Sequence, residues 1–94
     1  MKKDDCIFCK LANGDIPTNT IYEDDDFRVF LDAAPATRGH CLIVPKEHFA
    51  DLEELDDGIA AKVFPLAKKM MKLLKDKLSW DGFKVVQNNG EVAG

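Results

Sequence analysis

From Asp57 to Leu78 the chain places apolar residues at intervals of three and four: Ile59, Val63, Leu66, Met70, Leu73 and Leu74. That spacing puts them on one face of a helix. Lys62, Lys68, Lys69, Lys72 and Lys75 fall on the other. The apolar runs upstream are too short for a second helix of this kind. Strands together with one long amphipathic helix imply an α+β domain, an antiparallel sheet with one face covered. Pro65 lacks an amide hydrogen, which predicts a kink or a restart of the helix near residues 61–65.

The remaining elements follow from local pattern. Residues 6–13 read as a short helix in which Cys6, Cys9 and Lys10 share a face. Asn13-Gly14-Asp15 stops it, and Ile16-Pro17 starts an extended connection. Thr20–Glu23 and Phe27–Leu31 read as two antiparallel strands joined by the tight turn Asp24-Asp25-Asp26. Three like charges in that turn are expected to stay in water. Residues 41–44 form a continuous apolar run of strand length, which predicts cover on both faces. Asp51 opens a helical region, with one turn around Leu52 and Leu55. Residues 83–87 alternate and read as a further strand, ended by Asn88-Asn89-Gly90.

A length of 94 residues suggests a single domain spanning residues 1–94. The net charge is −4 and no basic block occurs, which argues against a nucleic-acid polymer as partner. A mononucleotide stays possible, since one phosphate needs only a few local donors. The charged start Met1-Lys2-Lys3-Asp4-Asp5 has no apolar stretch behind it, so no signal peptide is expected. No apolar run is long enough to span a membrane. Three cysteines is an odd number, and two lie too close together to staple a large loop. A reduced, cytoplasmic chain is the economical reading.

Chemistry concentrates in residues 30–48. One apolar run ends on Asp32, a Pro/Thr/Gly turn follows, and His40 opens the next run. That run closes at Pro45-Lys46, two residues before His48. Polar groups at the ends of adjacent strands read as a site, because burying them unpaired would cost roughly 1–3 kcal/mol each. Each residue also has a plain structural reading. Asp32 suits a turn cap, His40 a hydrogen-bonded core histidine, and Asn88 ordinary turn chemistry. Phe8, Leu11, Ile16, Phe30 and Ala33 read by composition as core. Cys6-x-x-Cys9 fits two small packed residues as well as a metal pair, since a closed Zn²⁺ site takes four ligands. His48 is placed to supply a third.

Residues 30–48, with Cys6-Ile7-Phe8-Cys9-Lys10 and Val86-Gln87-Asn88-Asn89-Gly90, resemble the histidine triad (HIT) nucleotide-binding family, in its bacterial zinc-containing, Hint-like branch. The resemblance runs from residue 6 to residue 94. It implies a HIT-like sheet and helix in a homodimer. It also implies a structural Zn²⁺ on Cys6, Cys9 and His48. Asp32 would take the ribose hydroxyls, and Asn88 would lie near ribose and phosphate. Phe8, Leu11, Ile16, Phe30 and Ala33 would surround the base of a purine nucleotide or nucleoside monophosphate. His40 would support the catalytic imidazoles.

The family's His-x-His-x-His is expected just after Gly94, with the nucleophile and the fourth metal ligand. By this reading the chain is the N-terminal portion of the domain, lacks its last strand and is inactive alone. In complete form it would hydrolyse a nucleoside phosphoramidate or related nucleotide derivative through a nucleotidyl-histidine. Two other readings compete. One is a non-catalytic zinc-stabilised nucleotide-binding or protein-interaction module. The other is a small zinc or redox module whose nucleotide positions are ordinary core.

Overall fold

A hairpin built on alternating residues starts the sheet. In the computed structural model, which describes residues 5–31, 40–78 and 84–90, β1 spans Thr20–Glu23 and β2 spans Phe27–Leu31. They pair antiparallel, Glu23 opposite Arg28 and Tyr22 opposite Val29, with an irregularity in register between Thr20 and Tyr22. Strand β3, Cys41–Pro45, pairs antiparallel with β2 from Phe27↔Pro45 to Leu31↔Cys41. The sheet order is β1-β2-β3.

The turn between β1 and β2 corrects one expectation. Of its three aspartates, Asp24 is not simply solvated. Asp24 Oδ1 accepts the amides of Asp26 and Phe27, both at 2.8 Å, and Oδ2 accepts the Tyr22 hydroxyl at 3.0 Å. An Asx-type turn of this sort spends the carboxylate on amides the turn leaves without partners. Partial burial opposes the ionised form. The Phe27 and Asp26 amides outweigh it and hold the Asp24 carboxyl below its usual range.

Helix α1, Ile7–Ala12, starts at Cys6 and ends at Asn13. Its end closes through Asp15 N donating to Lys10 O at 2.9 Å, with Gly14 at φ +84°. This is a Schellman-type stop, and glycine meets no Cβ penalty in that region. Pleating places Phe30, Leu42 and Val44 on one sheet face. There Ala12, Phe30 and Val44 form a buried cluster, with Leu11 and Leu42 packed against it. Phe27 and Val29 project on the opposite face and are the largest fully buried side chains. The expectation that β3 is covered on both faces fails, since only Val44 is buried in it. On this side the cover is α1, and six residues cover little area.

The chain divides into two compact units, Met1–His48 and Phe49–Gly94. The second contains the expected single turn near Leu52 and Leu55. Leu55 N donates to Asp51 O at 3.2 Å, and Glu54 N to Asp51 Oδ1 at 3.0 Å. Glu54 Oε2 reaches back to the amide of Ala50 at 3.0 Å, in the manner of a capping box. Helix α2, Asp57–Leu78, is capped by Asp56, whose Oδ2 accepts the Ile59 amide at 3.1 Å. Leu66, Ala67, Met70 and Leu74 form its buried stripe, while Lys62, Lys68, Lys69, Lys72 and Lys75 are exposed. Burying each large apolar side chain contributes roughly 1.5–3 kcal/mol.

Two expectations in this unit are corrected. Of the kink or restart expected near Pro65, the restart does not occur, since the helix runs on through the proline. Ala61 and Pro65 are both exposed, so water can serve the carbonyl that the proline leaves unbonded. Residues 84–87, the described part of the strand expected over 83–87, form no strand although they alternate. Alternation is necessary for a strand, but a ladder partner makes one, and residues 84–90 are all exposed. Phe83 lies outside the described residues. Among the described residues no helix is long and apolar enough to cross a membrane.

Candidate metal centre and nucleotide-binding residues

Cys6 and Cys9 sit on the first turn of α1, because CxxC spacing brings both side chains to one side of a turn. His48 arrives from the end of β3, past Pro45 and Lys46. One ligand atom from each of Cys6, Cys9 and His48 lies within 4.8 Å of the other two. Cys9 Sγ is 3.3 Å from His48 Nδ1. A tetrahedral zinc with Zn–S of about 2.3 Å and Zn–N of about 2.0–2.1 Å needs an S···N separation of about 3.5 Å. The donor set and the spacing therefore fit a zinc ion. Cys9 is buried, with Cys6 and His48 partly so.

Burial opposes ionisation of Cys6, and the nearby Asp5 charge adds slightly to that. The Cys9 and Phe8 amides and the Cys9 thiol outweigh both, so the Cys6 thiol lies below its ordinary range. A thiol that ionises readily is the form a metal takes. Cys41 behaves oppositely, because its burial pushes the thiol up. None of the three cysteines forms a disulfide among the described residues, where Cys41 is no part of the cluster.

Two polar ties hold α1 to the strands beside this cluster. Asn13 Nδ2 donates to the carbonyls of Cys9 and Lys46, each at 2.9 Å. Arg28 Nη1 donates to Leu11 O at 3.3 Å, and its Nη2 pairs with Glu23 Oε2 at 2.8 Å. Glu23 Oε2 also takes Lys46 Nζ at 2.7 Å. Lys46 and then Arg28 hold the Glu23 carboxyl below its usual range. Arg28 Nε is buried without a hydrogen-bond partner among the described residues.

The residues expected around a nucleotide are placed unevenly. Leu11 and Phe30 meet in one apolar cluster. Phe8 lies on α1 with its ring half exposed, and Ile16 is partly buried beyond the helix end. His40 is exposed immediately before β3, and Asn88 is exposed in the segment after α2. Asp32 and Ala33 lie outside the described residues. The neighbour Asn89 has the defined hydrogen bonds. Its Oδ1 accepts the Leu52 amide at 2.7 Å, and its Nδ2 donates to Gln87 Oε1 at 2.6 Å. Sequence reasoning missed Asn13, Glu23, Arg28, Lys46 and Asn89. Only Asn13 left a signal, as part of a helix stop, and that signal says nothing of its distant partner.

Comparison with known proteins gives a consistent result. Residues 13–94 match the HIT domain family. The chain is 45% identical over 89 residues to an uncharacterized HIT-like protein of Methanocaldococcus jannaschii, covering 95% of this chain and 68% of that one. It is 43% identical over 88 residues to an adenosine 5'-monophosphoramidase of Schizosaccharomyces pombe, covering 94% and 63%. Among solved structures it resembles a HIT family protein from Bacillus anthracis, with a TM-score of 0.91 at 40% identity and coverage of 97% and 64%. It also resembles a Zn-bound histidine triad family protein from Mycobacterium smegmatis, with a TM-score of 0.88 at 34% identity and coverage of 95% and 65%. The chain thus spans about two thirds of the length of these relatives, 63% of the phosphoramidase and 64% of the B. anthracis protein.

Proposed function

The chain belongs to the HIT domain family, and from that premise we propose that it serves a nucleotide hydrolase acting on a nucleoside phosphoramidate or a related nucleotide derivative. The observation that carries this reading is the 43% identity to a relative named as an adenosine 5'-monophosphoramidase. In the proposed reaction a histidine nitrogen attacks the α-phosphorus while the P–N bond to the amine breaks. The amine leaves with a proton. Water then cleaves the nucleotidyl-histidine and releases the monophosphate. One hard displacement becomes two easier ones.

The residues of this chain supply the binding half of that reaction. Asp32 accepts the ribose hydroxyls, and Asn88 lies near ribose and phosphate. Phe8, Leu11, Ile16, Phe30 and Ala33 surround a purine. His40 supports the reacting imidazole by fixing its tautomer. Cys6, Cys9 and His48 hold a structural Zn²⁺, which would cross-link α1 to the segment after β3. The assembly is a cytoplasmic homodimer of HIT-like domains.

A protein that carries these residues together with the family's His-x-His-x-His should release AMP and free amine from adenosine phosphoramidate, and residues 1–94 alone should not. A trapped nucleotidyl adduct should map to neither His40 nor His48; finding it on either would overturn these roles. Asp32→Ala should weaken nucleoside monophosphate binding about tenfold by calorimetry, the cost of losing charge-assisted hydrogen bonds. An unchanged affinity would return Asp32 to a turn cap. Binding without turnover would favour a non-catalytic nucleotide-binding module.

A further inference from the structure

Asn13 ends α1, and one side-chain amide there bridges two distant stretches of backbone. Its Nδ2 donates to Cys9 O, four residues back, and to Lys46 O, 33 residues ahead, at 2.9 Å in both cases. Only an NH₂ group can face two carbonyls, so the amide orientation follows from the chemistry. Cys9 carries a candidate ligand sulfur, and Lys46 lies two residues before the candidate ligand His48. The bridge thus spans the gap that a metal ion would have to close.

Lys46 is fixed from other directions as well. Its amide donates to Asp26 O at 2.8 Å, and its ammonium pairs with Glu23. Glu23 in turn holds Arg28, which reaches the Leu11 carbonyl of α1. The chain of polar contacts therefore begins and ends on the helix that bears the CxxC. Other residues at position 13 would break it. Serine donates a single hydrogen bond. Aspartate donates none at neutral pH and would set a carboxylate against two carbonyl oxygens. Glutamine is one methylene longer.

We propose that Asn13 is a positioning residue for metal binding at Cys6, Cys9 and His48, fixing the backbone spacing between the CxxC turn and His48 before the ion arrives. This inference rests on the metal reading of that cluster. Groups that orient metal ligands without touching the ion typically change affinity by about 10–100-fold when removed.

The test compares the purified wild-type protein with Asn13→Ala and Asn13→Asp. Zn²⁺ affinity is measured by competition with a chromophoric chelator, and thermal unfolding is followed with and without the ion. The expected result is a Kd raised about 10–100-fold in both variants, with a smaller metal-induced rise in Tm. A merely structural Asn13 would lower the Tm of the metal-free and metal-loaded forms equally and leave Kd within about twofold, overturning the inference alone. If either variant does not fold, Asn13→Ser, which can keep one of the two hydrogen bonds, gives the same readout. Absence of Zn²⁺ uptake by the wild-type protein would overturn the metal reading and the inference together.

Discussion

The corner where α1 meets the end of β3 and the stretch leading into α2 solve the same problem in opposite ways. Both must satisfy backbone groups that a helix end leaves unbonded. At α1 the local stop at Asn13–Asp15 is joined by partners from far away. Arg28 reaches Leu11 O across 17 residues, and Asn13 reaches Lys46 O across 33. Before α2 most come from next door, the Asn89 side chain on the Leu52 amide being the exception. Asp51 accepts the Glu54 amide, and Asp56 that of Ile59, each across three residues. Long-range ties make a corner whose geometry depends on the whole sheet. Local caps make a helix start that needs only its own sequence.

The largest effect expected from breaking this contrast is at Arg28. Arg28→Ala removes the donor to Leu11 O and leaves Glu23 with one cation instead of two. A loss of about 2–3 kcal/mol in chemical denaturation is expected, the scale of an unsatisfied carbonyl together with a charge-assisted hydrogen bond. A loss below about 0.5 kcal/mol would mean that solvent replaces the guanidinium, and the contrast would weaken. Asp56→Ala should cost less, about 1 kcal/mol, as N-cap removal usually does. Asp56→Asn should restore most of it, because Asn caps nearly as well.

The smallest effect belongs to acid. The Asp24 carboxyl is held below its usual range in the folded chain. A depressed folded pKa contributes stability above the unfolded value of about 3.9, and that contribution disappears as pH falls through the folded value. Asp24→Asn should therefore flatten the dependence of stability on pH below about pH 4. Denaturation curves collected from pH 5 down to pH 2 measure the slope. An unchanged slope would assign the acid sensitivity to other carboxylates.

The same contrast decides what a reader of the sequence could see. The three strands and both helices follow from alternation and from three-and-four spacing, which act over a few residues. The Cys6-Cys9-His48 cluster was legible as well, since CxxC is local and His48 lies a fixed step past β3. Asn13, Arg28, Glu23 and Lys46 were not, because nothing near each residue identifies its partner. Local reasoning also overreached. Residues 83–87 alternate like a strand, yet only a neighbouring ladder would make one, and the described residues 84–87 form none. Pro65 reads as a break, yet an exposed carbonyl can turn to water. The aspartates of the first hairpin turn read as charges left to water, yet Asp24 accepts three hydrogen bonds.

The irregular register between Thr20 and Tyr22 bears on how the chain behaves at high concentration. Among the described residues β1 has one strand neighbour, so its other side offers amides and carbonyls to any passing chain. A flat edge of that kind invites strand addition and fibril growth. A bulge twists the edge and throws its amide spacing out of step with a regular incoming strand. β1 is also only four residues long and ends on the charged Glu23. A brief, twisted, charged edge is a poor template for self-association, so a slip of one residue in this hairpin discourages aggregation.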